Sequence, residues 1–490
     1  DRTVIAIPLL DEFRAERDAA EAARKKRRRA PEARLYDVII DLNLDYPGGR
    51  EEAKKTVRDW IQKAIDGVGT RPGQGVHQVK SEITNQYLFA RLERRVVEEL
   101  VRINHGEGQP EKAPRRALFR VWPDFKVGPL LTRSLATVKA DAARVSFSAQ
   151  GKDILWAVLD SGIQKEHPHF QKHGNLDLPA PLKHRDFTAL DESSEQPLVD
   201  RFGHGTHVAG IVAGELTGQV RTVTRHRDEQ GEVSYQTSEL DAISGVAPLC
   251  KLLSLKVLDD DGNGLASNLI AAIALIQEAN GHGRRIVVHG VNMSVGYDFE
   301  PEWFACGQSP LCVEVDRLVR SGVAVVVAAG NTGYGFAQSA FRGTVAAGMN
   351  LTINDPGNAE LAITVGSTHR DSPHIYGVSY FSSKGPTGDG RAKPDLVAPG
   401  EKIVSCAAGK PREELREKAA DCDYREESGT SMAAPHVSGA IAAFLSIRRE
   451  FIGQPEKVKA IFMASATDLN RERYFQGRGL VDLMRAIQSV

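Results

Sequence analysis

Four runs of consecutive apolar residues constrain the fold of this chain more than any other feature. They are ILWAVLDSG (154–162), KLLSLKVLDD (251–260), RIVVHGVNMSVG (285–296) and VAVVVAAGN (323–331). Because apolar residues follow one another without alternation, we expect parallel strands that are buried on both faces. Helical spacing between and after these runs predicts the covering helices, at 264–279, 312–321 and 431–447. The region therefore predicts a doubly wound α/β domain around a parallel central sheet.

The composition excludes several other classes of protein. Of the 490 residues, 41% are hydrophobic and 26% are charged, as in ordinary globular proteins. No uninterrupted apolar run reaches the roughly 18 residues of a transmembrane helix, so we expect no membrane partner. The formal net charge is −1, which provides no general field for binding nucleic acid. Residues 1–134 are nevertheless net basic and the remainder is net acidic, which would let the two parts attract each other.

The residues before the apolar runs have a different organisation. Charges dominate residues 11–30 and leave almost no apolar face, so we expect residues 1–34 to be a charged N-terminal extension. After it, apolar patterns predict strands and helices in the order βαββαβ: LYDVIIDLN (35–43), a helix at 50–65, VHQVK, QYLFARL, a helix at 94–103 and ALFRVW (117–122). This order predicts a small ferredoxin-like α+β domain over residues 35–134, followed by the α/β domain over 135–490.

Four polar residues follow apolar strands or precede apolar helices of the second domain. Asp160 ends the first apolar run, His204 lies in the glycine-rich segment GHGTHVAG, and Ser431 lies in ESGTSMAAPHVSGA. A serine becomes a good nucleophile when a base takes its proton and a carboxylate orients that base. Asn331, at the end of VVVAAGN, has a side-chain amide that can donate to the oxyanion formed on attack of a carbonyl. These residue types predict acyl transfer.

The same residues carry a resemblance to a known family. The segments LDSG, HGTHVAG and SGTSMAAPHVSG occur in the Asp–His–Ser order of the subtilisin-like serine proteases (subtilases), and AAGN resembles the motif of their oxyanion donor. The resemblance covers roughly residues 135–490. It implies that Ser431 is the nucleophile, His204 the general base, Asp160 the residue that orients it and Asn331 the oxyanion donor. It further implies a serine endopeptidase that acts on protein or peptide substrates without a cofactor.

The resemblance also implies a set of substrate-binding residues. In the family, a substrate peptide binds as an added strand between two backbone segments. These segments correspond here to Ser294, Val295 and Gly296 on one side and to Gly262, Asn263 and Gly264 on the other. Asn354 would lie near the floor of the main specificity pocket with Asp355 beside it. Asp355 would then favour Lys or Arg at the cleavage position, unless its side chain points to solvent.

The chain departs from the family pattern in three segments. Residues 214–243 replace the region that often forms a calcium loop, and they lack compact ligand spacing. We therefore predict no metal at that place, although structural calcium elsewhere stays open. Residues 333–352 form an enlarged loop that can act as a lid or partner site, and residues 297–312 look inserted.

The first domain resembles the propeptide of many subtilases in its order of elements. Such a domain assists folding and then inhibits the peptidase, and its tail, here residues 123–134, lies in the active cleft. We expect self-cleavage within residues 128–136. The alternative is a permanently attached domain that recruits a partner.

Two other functions fit the same catalytic residues. A peptide ligase or cyclase would resolve the acyl-enzyme with an amine, and a non-catalytic binding protein would keep only the fold. The five cysteines form no disulfide framework. Cys306 with Cys312 and Cys406 with Cys422 can pair, or the cysteines can be reduced and structural. This odd number, and a start at Asp1 without an apolar signal stretch, favour a cytoplasmic location over a trimmed secreted zymogen.

Overall fold

The computed structural model describes residues 4–25, 33–106, 116–124, 133–227, 233–299, 305–339, 343–419 and 421–490. The chain divides into two compact units, Asp1–Pro129 and Leu130–Val490. The division thus lies at Pro129, whereas the sequence pattern placed it at residue 134. Each unit is built around its own buried apolar residues.

The described residues of the first unit form one antiparallel sheet and four helices. Its elements are α1 (Ile7–Lys25), β1 (Leu35–Leu42), α2 (Gly49–Val68), β2 (Gly75–Val76), α3 (Gln78–Ile83), β3 (Tyr87–Glu93), α4 (Arg94–Asn104) and β4 (Leu118–Pro123). The strands lie in the order β2-β3-β1-β4. Alternate residues of β1 are buried and pack with the apolar face of α2, which contains Val57 and Ile61. The predicted strand at 35–43 and helices at 50–65 and 94–103 are confirmed, while the ferredoxin-like assignment stays a prediction.

Two predictions for the first unit are wrong. The first residues are no separate charged extension, because Leu9 and Phe13 of α1 are fully buried in the core of this unit. Only the residues after Phe13 follow the charged pattern. The segment VHQVK is no full strand, because β2 ends at Val76 and α3 begins at Gln78. There the backbone N–H of Phe89 donates a hydrogen bond to the hydroxyl of Ser81, instead of to the backbone carbonyl of a neighbouring strand.

The described residues of the second unit form the remaining elements, among them three short 3-10 helices at Pro168–Phe170, Glu192–Ser194 and Arg449–Phe451. The helices and strands are α5 (Arg133–Thr137), α6 (Ala140–Phe147), β5 (Leu155–Asp160), β6 (Arg185–Asp186), α7 (His204–Val212), β7 (Glu215–Arg227), β8 (Val233–Ser244), β9 (Lys251–Lys256), α8 (Ala266–Ala279), β10 (Gly290–Met293), α9 (Pro310–Arg320), β11 (Ala324–Ala328), β12 (Tyr334–Ser339), β13 (Gly343–Gly348), β14 (Ile363–His369), α10 (Pro373–Tyr376), β15 (Leu396–Glu401), β16 (Ile403–Cys406), α11 (Gly409–Lys418), β17 (Tyr424–Glu427), α12 (Thr430–Ile447), α13 (Pro455–Ser465), α14 (Arg473–Gln476) and α15 (Leu483–Gln488).

A seven-stranded parallel sheet forms the centre of this unit, in the order β15-β14-β11-β10-β5-β9-β6. The four predicted apolar runs are its adjacent strands β11, β10, β5 and β9. Successive residues of β5 face opposite layers, since Trp156 packs in the core that contains α12 and Leu155 packs in the core that contains α8 and α9. The structure therefore confirms a three-layer α/β fold with a parallel central sheet.

Helix α12 lies within one of these layers. Among the described residues it is the one helix that is long and apolar enough to cross a membrane, but 83% of it is buried inside the protein. Such burial is what the central helix of a two-sided α/β sheet requires. The five cysteines are also buried, and all of them are free thiols, as in the alternative of reduced, structural cysteines that the sequence left open.

Two antiparallel hairpins occupy segments that depart from the family pattern. β7 pairs with β8 along residues 215–244, where a calcium loop was considered. β12 pairs with β13 within the enlarged loop at 333–352. Among the described residues, no group of three His, Cys, Asp or Glu side chains is placed to hold a metal ion. The third segment, 297–312, lies partly outside the described residues, and Trp303 is in that part.

Candidate active site

The predicted catalytic residues lie where the central sheet ends. Asp160 is the last residue of β5, His204 is the first residue of α7, and Ser431 is the second residue of α12. The carboxyl ends of parallel strands gather the loops that carry such residues at one edge. Gly203 precedes α7 with a φ of 87°, and a side chain there would lie 2.4 Å from the carbonyl oxygen of Ala408. Glycine at this position therefore lets the helix begin at His204.

Asp160 and His204 form a close pair. Nδ1 of His204 lies 2.7 Å from Oδ1 of Asp160, whose side chain is 1% exposed, whereas that of His204 is 19% exposed. Burial by itself would lower the pKa of His204, but the charge of Asp160 and its hydrogen bond outweigh burial and raise the pKa above 6.5. The pair is thus arranged to stabilise a protonated imidazole.

Asp200 holds the loop before His204, and the sequence motifs did not reveal it. Its Oδ1 accepts hydrogen bonds from Oγ of Ser161 at 2.9 Å and the backbone N–H of Gly203 at 2.7 Å. Its Oδ2 accepts from the backbone N–H and the hydroxyl of Thr206, at 2.8 and 2.6 Å. Burial raises the pKa of Asp200, although the bonds from Thr206 oppose this shift. This carboxylate joins the end of β5 to the start of α7, and so positions His204 relative to Asp160.

Ser431 faces the backbone of the segment that follows β10. Its hydroxyl donates to the carbonyl oxygen of Ser294 at 3.1 Å, and the hydroxyl of Ser294 donates to the carbonyl oxygen of Ser431 at 2.8 Å. Between His204 and Ser431, both of which are described, this conformation contains no hydrogen bond. Both residues line one cleft of about 370 Å³. The hydroxyl therefore has to leave Ser294 before His204 can take its proton.

Asn331 lines the same cleft, and Thr430 orients its side chain. Oδ1 of Asn331 accepts hydrogen bonds from the backbone N–H and the hydroxyl of Thr430, at 2.9 and 3.0 Å. Because its oxygen is occupied, the amide group of Asn331 is left with its N–H donors for a ligand. The backbone N–H of Ser431, in the first turn of α12, has no acceptor within the helix. Together the two donors provide a site for a negatively charged oxygen.

Most of the predicted substrate-binding residues line the cleft. The lining residues are Phe202, His204, Leu258, Gly262, Ser294, Val295, Gly296, Ala328, Gly330, Asn331, Asn354, Thr430 and Ser431. Asn263 and Gly264 lie in the same turn as Gly262 but outside this lining. Phe202, which the motifs did not indicate, packs so close to Gly262 that a side chain there would lie 2.5 Å from its ring. The signal in the sequence that could have indicated Phe202 is its position, two residues before His204.

The side chains of Asn354 and Asp355 point to different parts of the protein. The amide of Asn354 satisfies its hydrogen bonds when Nδ2 donates to the carbonyl oxygens of Ala329 and Ala328, at 3.0 and 3.2 Å. Its oxygen then faces the space beside the lining glycines 296 and 330. Asp355 is 1% exposed, and its carboxylate accepts a hydrogen bond from Asn358 at 2.9 Å.

The basis for a predicted preference for Lys or Arg is therefore wrong. The backbone of Asp355 pairs with that of Tyr297 in both directions, and its carboxylate is held inside the protein by the amide of Asn358. Among the described residues that line the cleft, none is Asp or Glu. The pocket instead presents a neutral oxygen acceptor from Asn354.

Comparison with known proteins found one family model and several relatives that match this chain. A family model described as the Subtilase family matches residues 151–479. Pyrolysin of Pyrococcus furiosus is 31% identical over 59% of this chain and 21% of its own length. Serine protease AprX of Bacillus subtilis is 29% identical over 71% of this chain and 69% of its own length, and Subtilisin E of the same organism is 28% identical over 72% and 70%. The chain thus spans about a fifth of pyrolysin and somewhat over two thirds of the other two.

Proposed function

The chain belongs to the subtilase family of subtilisin-like serine proteases, and on that premise we propose that it hydrolyses peptide bonds as an endopeptidase through an acyl-enzyme on Ser431. The observation that carries the proposal is the pair of His204 and buried Asp160, 2.7 Å apart, beside the cleft that Ser431 lines. A base held by a carboxylate next to a serine is the arrangement that activates a hydroxyl.

The proposed reaction has two stages. His204 takes the proton of Ser431, and Oγ of Ser431 bonds to the carbonyl carbon of the substrate. Asn331 and the backbone N–H of Ser431 donate to the oxygen that becomes negative. His204 then gives its proton to the leaving amine as the peptide bond breaks. In the second stage a water molecule, deprotonated by His204, attacks the acyl-enzyme, and His204 returns that proton to Oγ of Ser431 as the ester bond breaks.

The role of Asp160 is electrostatic and orienting. When its Nδ1–H donates to Asp160, His204 presents Nε2 to the hydroxyl. The raised pKa of His204 supports this role, because the imidazolium formed during attack is stabilised by the neighbouring charge. We also propose that the chemistry needs no metal or cofactor, since these side chains provide every proton transfer. Activity retained after treatment with EDTA is the expected result.

Labelling of Ser431 tests the proposed function directly. A fluorophosphonate probe should label the wild-type protein but not Ser431→Ala, and only the wild-type protein should digest casein. Failure of the wild type to react with the probe would contradict the proposal.

The ligase alternative predicts that an added peptide amine captures most of the acyl-enzyme. An endopeptidase predicts that hydrolysis dominates, so the ratio of the two products separates them.

We propose that substrate binds as an added strand between the segment 294–296 and Gly262, whose residues line the cleft. The oxygen of Asn354 favours a small or hydrogen-bond-donating side chain before the scissile bond, because no Asp or Glu among the described residues that line the cleft offsets the cost of burying a cation there. A peptide library should therefore be cleaved after small or polar residues in preference to Lys or Arg.

We further propose that the first unit is an intramolecular chaperone and inhibitor of the peptidase. Its own apolar core and its net basic charge, opposite to that of the remainder, support this role. The predicted tail at 123–134 and cleavage window at 128–136 lie largely outside the described residues.

Intact mass decides between this role and a permanently attached domain. A propeptide predicts that the wild type separates within the window while Ser431→Ala stays whole. A wild type that digests casein as one chain would contradict the inhibitor role.

Fractionation of the native host would test the cytoplasmic location against the secreted one.

A further inference from the structure

The carbonyl oxygen of Ser431 lacks its usual partner within helix α12. In an α-helix each carbonyl oxygen accepts a hydrogen bond from the backbone N–H four residues later. For Ser431 that residue is Pro435, which lies inside α12 and has no N–H to donate. Because carbonyl groups that are shielded from water need another donor, the start of α12 depends on a donor from elsewhere in the chain.

The hydroxyl of Ser294 provides this donor. Its Oγ lies 2.8 Å from the carbonyl oxygen of Ser431, although 137 positions separate the two residues. Nδ2 of Asn292 donates to the same Oγ at 2.9 Å. Because the hydroxyl accepts from Asn292, its one proton is left for the carbonyl oxygen. Ser294 thus replaces the hydrogen bond that Pro435 cannot make.

The side chain of Asn292 is itself held in place. Its Oδ1 accepts a hydrogen bond from the hydroxyl of Ser438 at 2.8 Å, and both residues are fully buried. Asn292 lies in β10, whereas Ser438 lies further along α12 than Ser431. The bonds therefore run from α12 to β10, on to Ser294, and back to the first turn of α12. Such a satisfied buried network keeps the hydroxyl of Ser294 in one orientation.

The carbonyl that Ser294 holds belongs to the residue that would perform the reaction. In the proposed function, Oγ of Ser431 attacks the substrate and the backbone N–H of Ser431 donates to the oxyanion. Both groups move with the backbone of Ser431 when the first turn of α12 tilts. Misplacement of reacting groups by about 1 Å can cost on the order of 100-fold in rate. The donor from Ser294 therefore matters for the reaction as well as for the fold.

We propose that Ser294 is a positioning residue, whose hydroxyl holds Ser431 in the orientation that formation of the acyl-enzyme requires. The inference rests on the proposed endopeptidase function and deepens it, because it gives the side chain of Ser294 a role separate from that of its backbone. The backbone belongs to the segment 294–296 that would bind substrate, and Ser294→Ala leaves it in place. Loss of the hydroxyl should therefore lower kcat and leave KM nearly unchanged.

A double-mutant cycle on the full chain tests this role. Its four members are the wild type, Ser294→Ala, Pro435→Ala and the double variant Ser294→Ala/Pro435→Ala. Pro435→Ala gives the helix the backbone N–H that it lacks, so that Ser431 no longer depends on Ser294. In both backgrounds Ser294→Ala deprives Asn292 of an acceptor, and this loss cancels from the comparison.

A peptide anilide with alanine before the scissile bond measures kcat and KM. In the wild-type background, Ser294→Ala should lower kcat about two- to twelvefold, which corresponds to one hydrogen bond of ordinary strength. In the Pro435→Ala background, the same change should lower kcat by less than about twofold. KM should stay within about twofold in all four proteins.

Ser254→Ala is the matched control. The hydroxyl of Ser254 donates to the carbonyl oxygen of Pro197 at 2.6 Å. Ser254 is fully buried in β9 and is outside the lining of the cleft. Its variant loses the same kind of bond as Ser294→Ala, so the midpoint of urea denaturation should fall in both. Only Ser294→Ala should lower kcat.

The outcomes separate this inference from the proposed function. An equal fall in kcat in both backgrounds, no fall in either, or a similar fall in Ser254→Ala would overturn the inference while the endopeptidase function stands. If Ser294→Ala fails to fold, the double variant should still fold and cleave, and a double variant that does neither would also overturn the inference. A wild type that cleaves neither the anilide nor casein would overturn the endopeptidase function, and the positioning role with it.

Discussion

The oxyanion donor gives the sharpest test of the site, through the residue that orients it. Thr430 is 1% exposed and donates twice to Oδ1 of Asn331, from its backbone N–H and from its hydroxyl. Thr430→Val keeps the shape and the backbone donor but removes the hydroxyl. Thr430→Ser keeps the hydroxyl and is the matched control.

The structure sets the expected size of the effect. One lost hydrogen bond contributes about 0.5–1.5 kcal/mol, which corresponds to roughly a two- to twelvefold fall in kcat if it acts in the transition state. Complete removal of the donor in Asn331→Ala should cost about 100- to 1000-fold. The hydroxyl of Thr430 also accepts from the backbone N–H of Gly330 at 3.2 Å. Thr430→Val leaves that buried donor unpaired and should lower the free energy of unfolding by about 1–3 kcal/mol.

A double-mutant cycle measures whether the hydroxyl acts through Asn331. We expect Thr430→Val to lower kcat in the wild-type background and to leave kcat nearly unchanged in the Asn331→Ala background. Urea denaturation of each protein separates the loss of stability from the loss of activity. The same fall in kcat in both backgrounds would refute the reasoning, as would a Thr430→Ser enzyme as slow as Thr430→Val.

Three further predictions concern the pH dependence, the loop before His204 and the pocket. Because protonated His204 cannot act as a base, kcat/KM should fall as pH decreases through the raised pKa of His204; a half-point below pH 6.5 would contradict the role of Asp160. Asp200→Asn should lower the free energy of unfolding by about 1–3 kcal/mol, because either orientation of the new amide faces a backbone N–H of Gly203 or Thr206; urea denaturation that matches the wild type would refute this. Asn354→Gly should raise the ratio of kcat/KM for substrates with Phe before the scissile bond to kcat/KM for substrates with Ala there, by about tenfold or more. Peptide anilides measure this ratio, and an unchanged ratio would place Asn354 away from the pocket.

Local patterns predicted the central sheet well, and they also indicated the residues that we propose as catalytic. Strands β5, β9, β10 and β11 were identified because burial on both faces requires a continuous apolar run, which is visible within a few residues. Asp160, His204, Ser431 and Asn331 were identified in the same way, since each lies in a short motif next to such a strand or a buried helix.

Errors occurred where a side chain depends on a distant partner. The segment VHQVK was predicted to be a strand, but the backbone N–H of Phe89 donates to the hydroxyl of Ser81 and not to a strand carbonyl. The helix α1 was read as a solvated segment, although Leu9 and Phe13 pack in the core of the first unit. The alternation of apolar residues and the charge are properties of one segment at a time. Neither of them therefore indicates which surface of a segment will be covered by another segment.

The amino-acid sequence by itself determined the family and the three-layer α/β fold, and it indicated the residues that we propose as the reacting groups. Only the tertiary structure decided which other side chains reach the cleft. Asp355 is buried and bonded to Asn358 instead of lining the cleft, and Thr430 orients Asn331 although 99 positions separate them. The physical reason is that chemical identity is a property of each residue, whereas the direction and hydrogen bonding of a side chain are set by the segments packed around it.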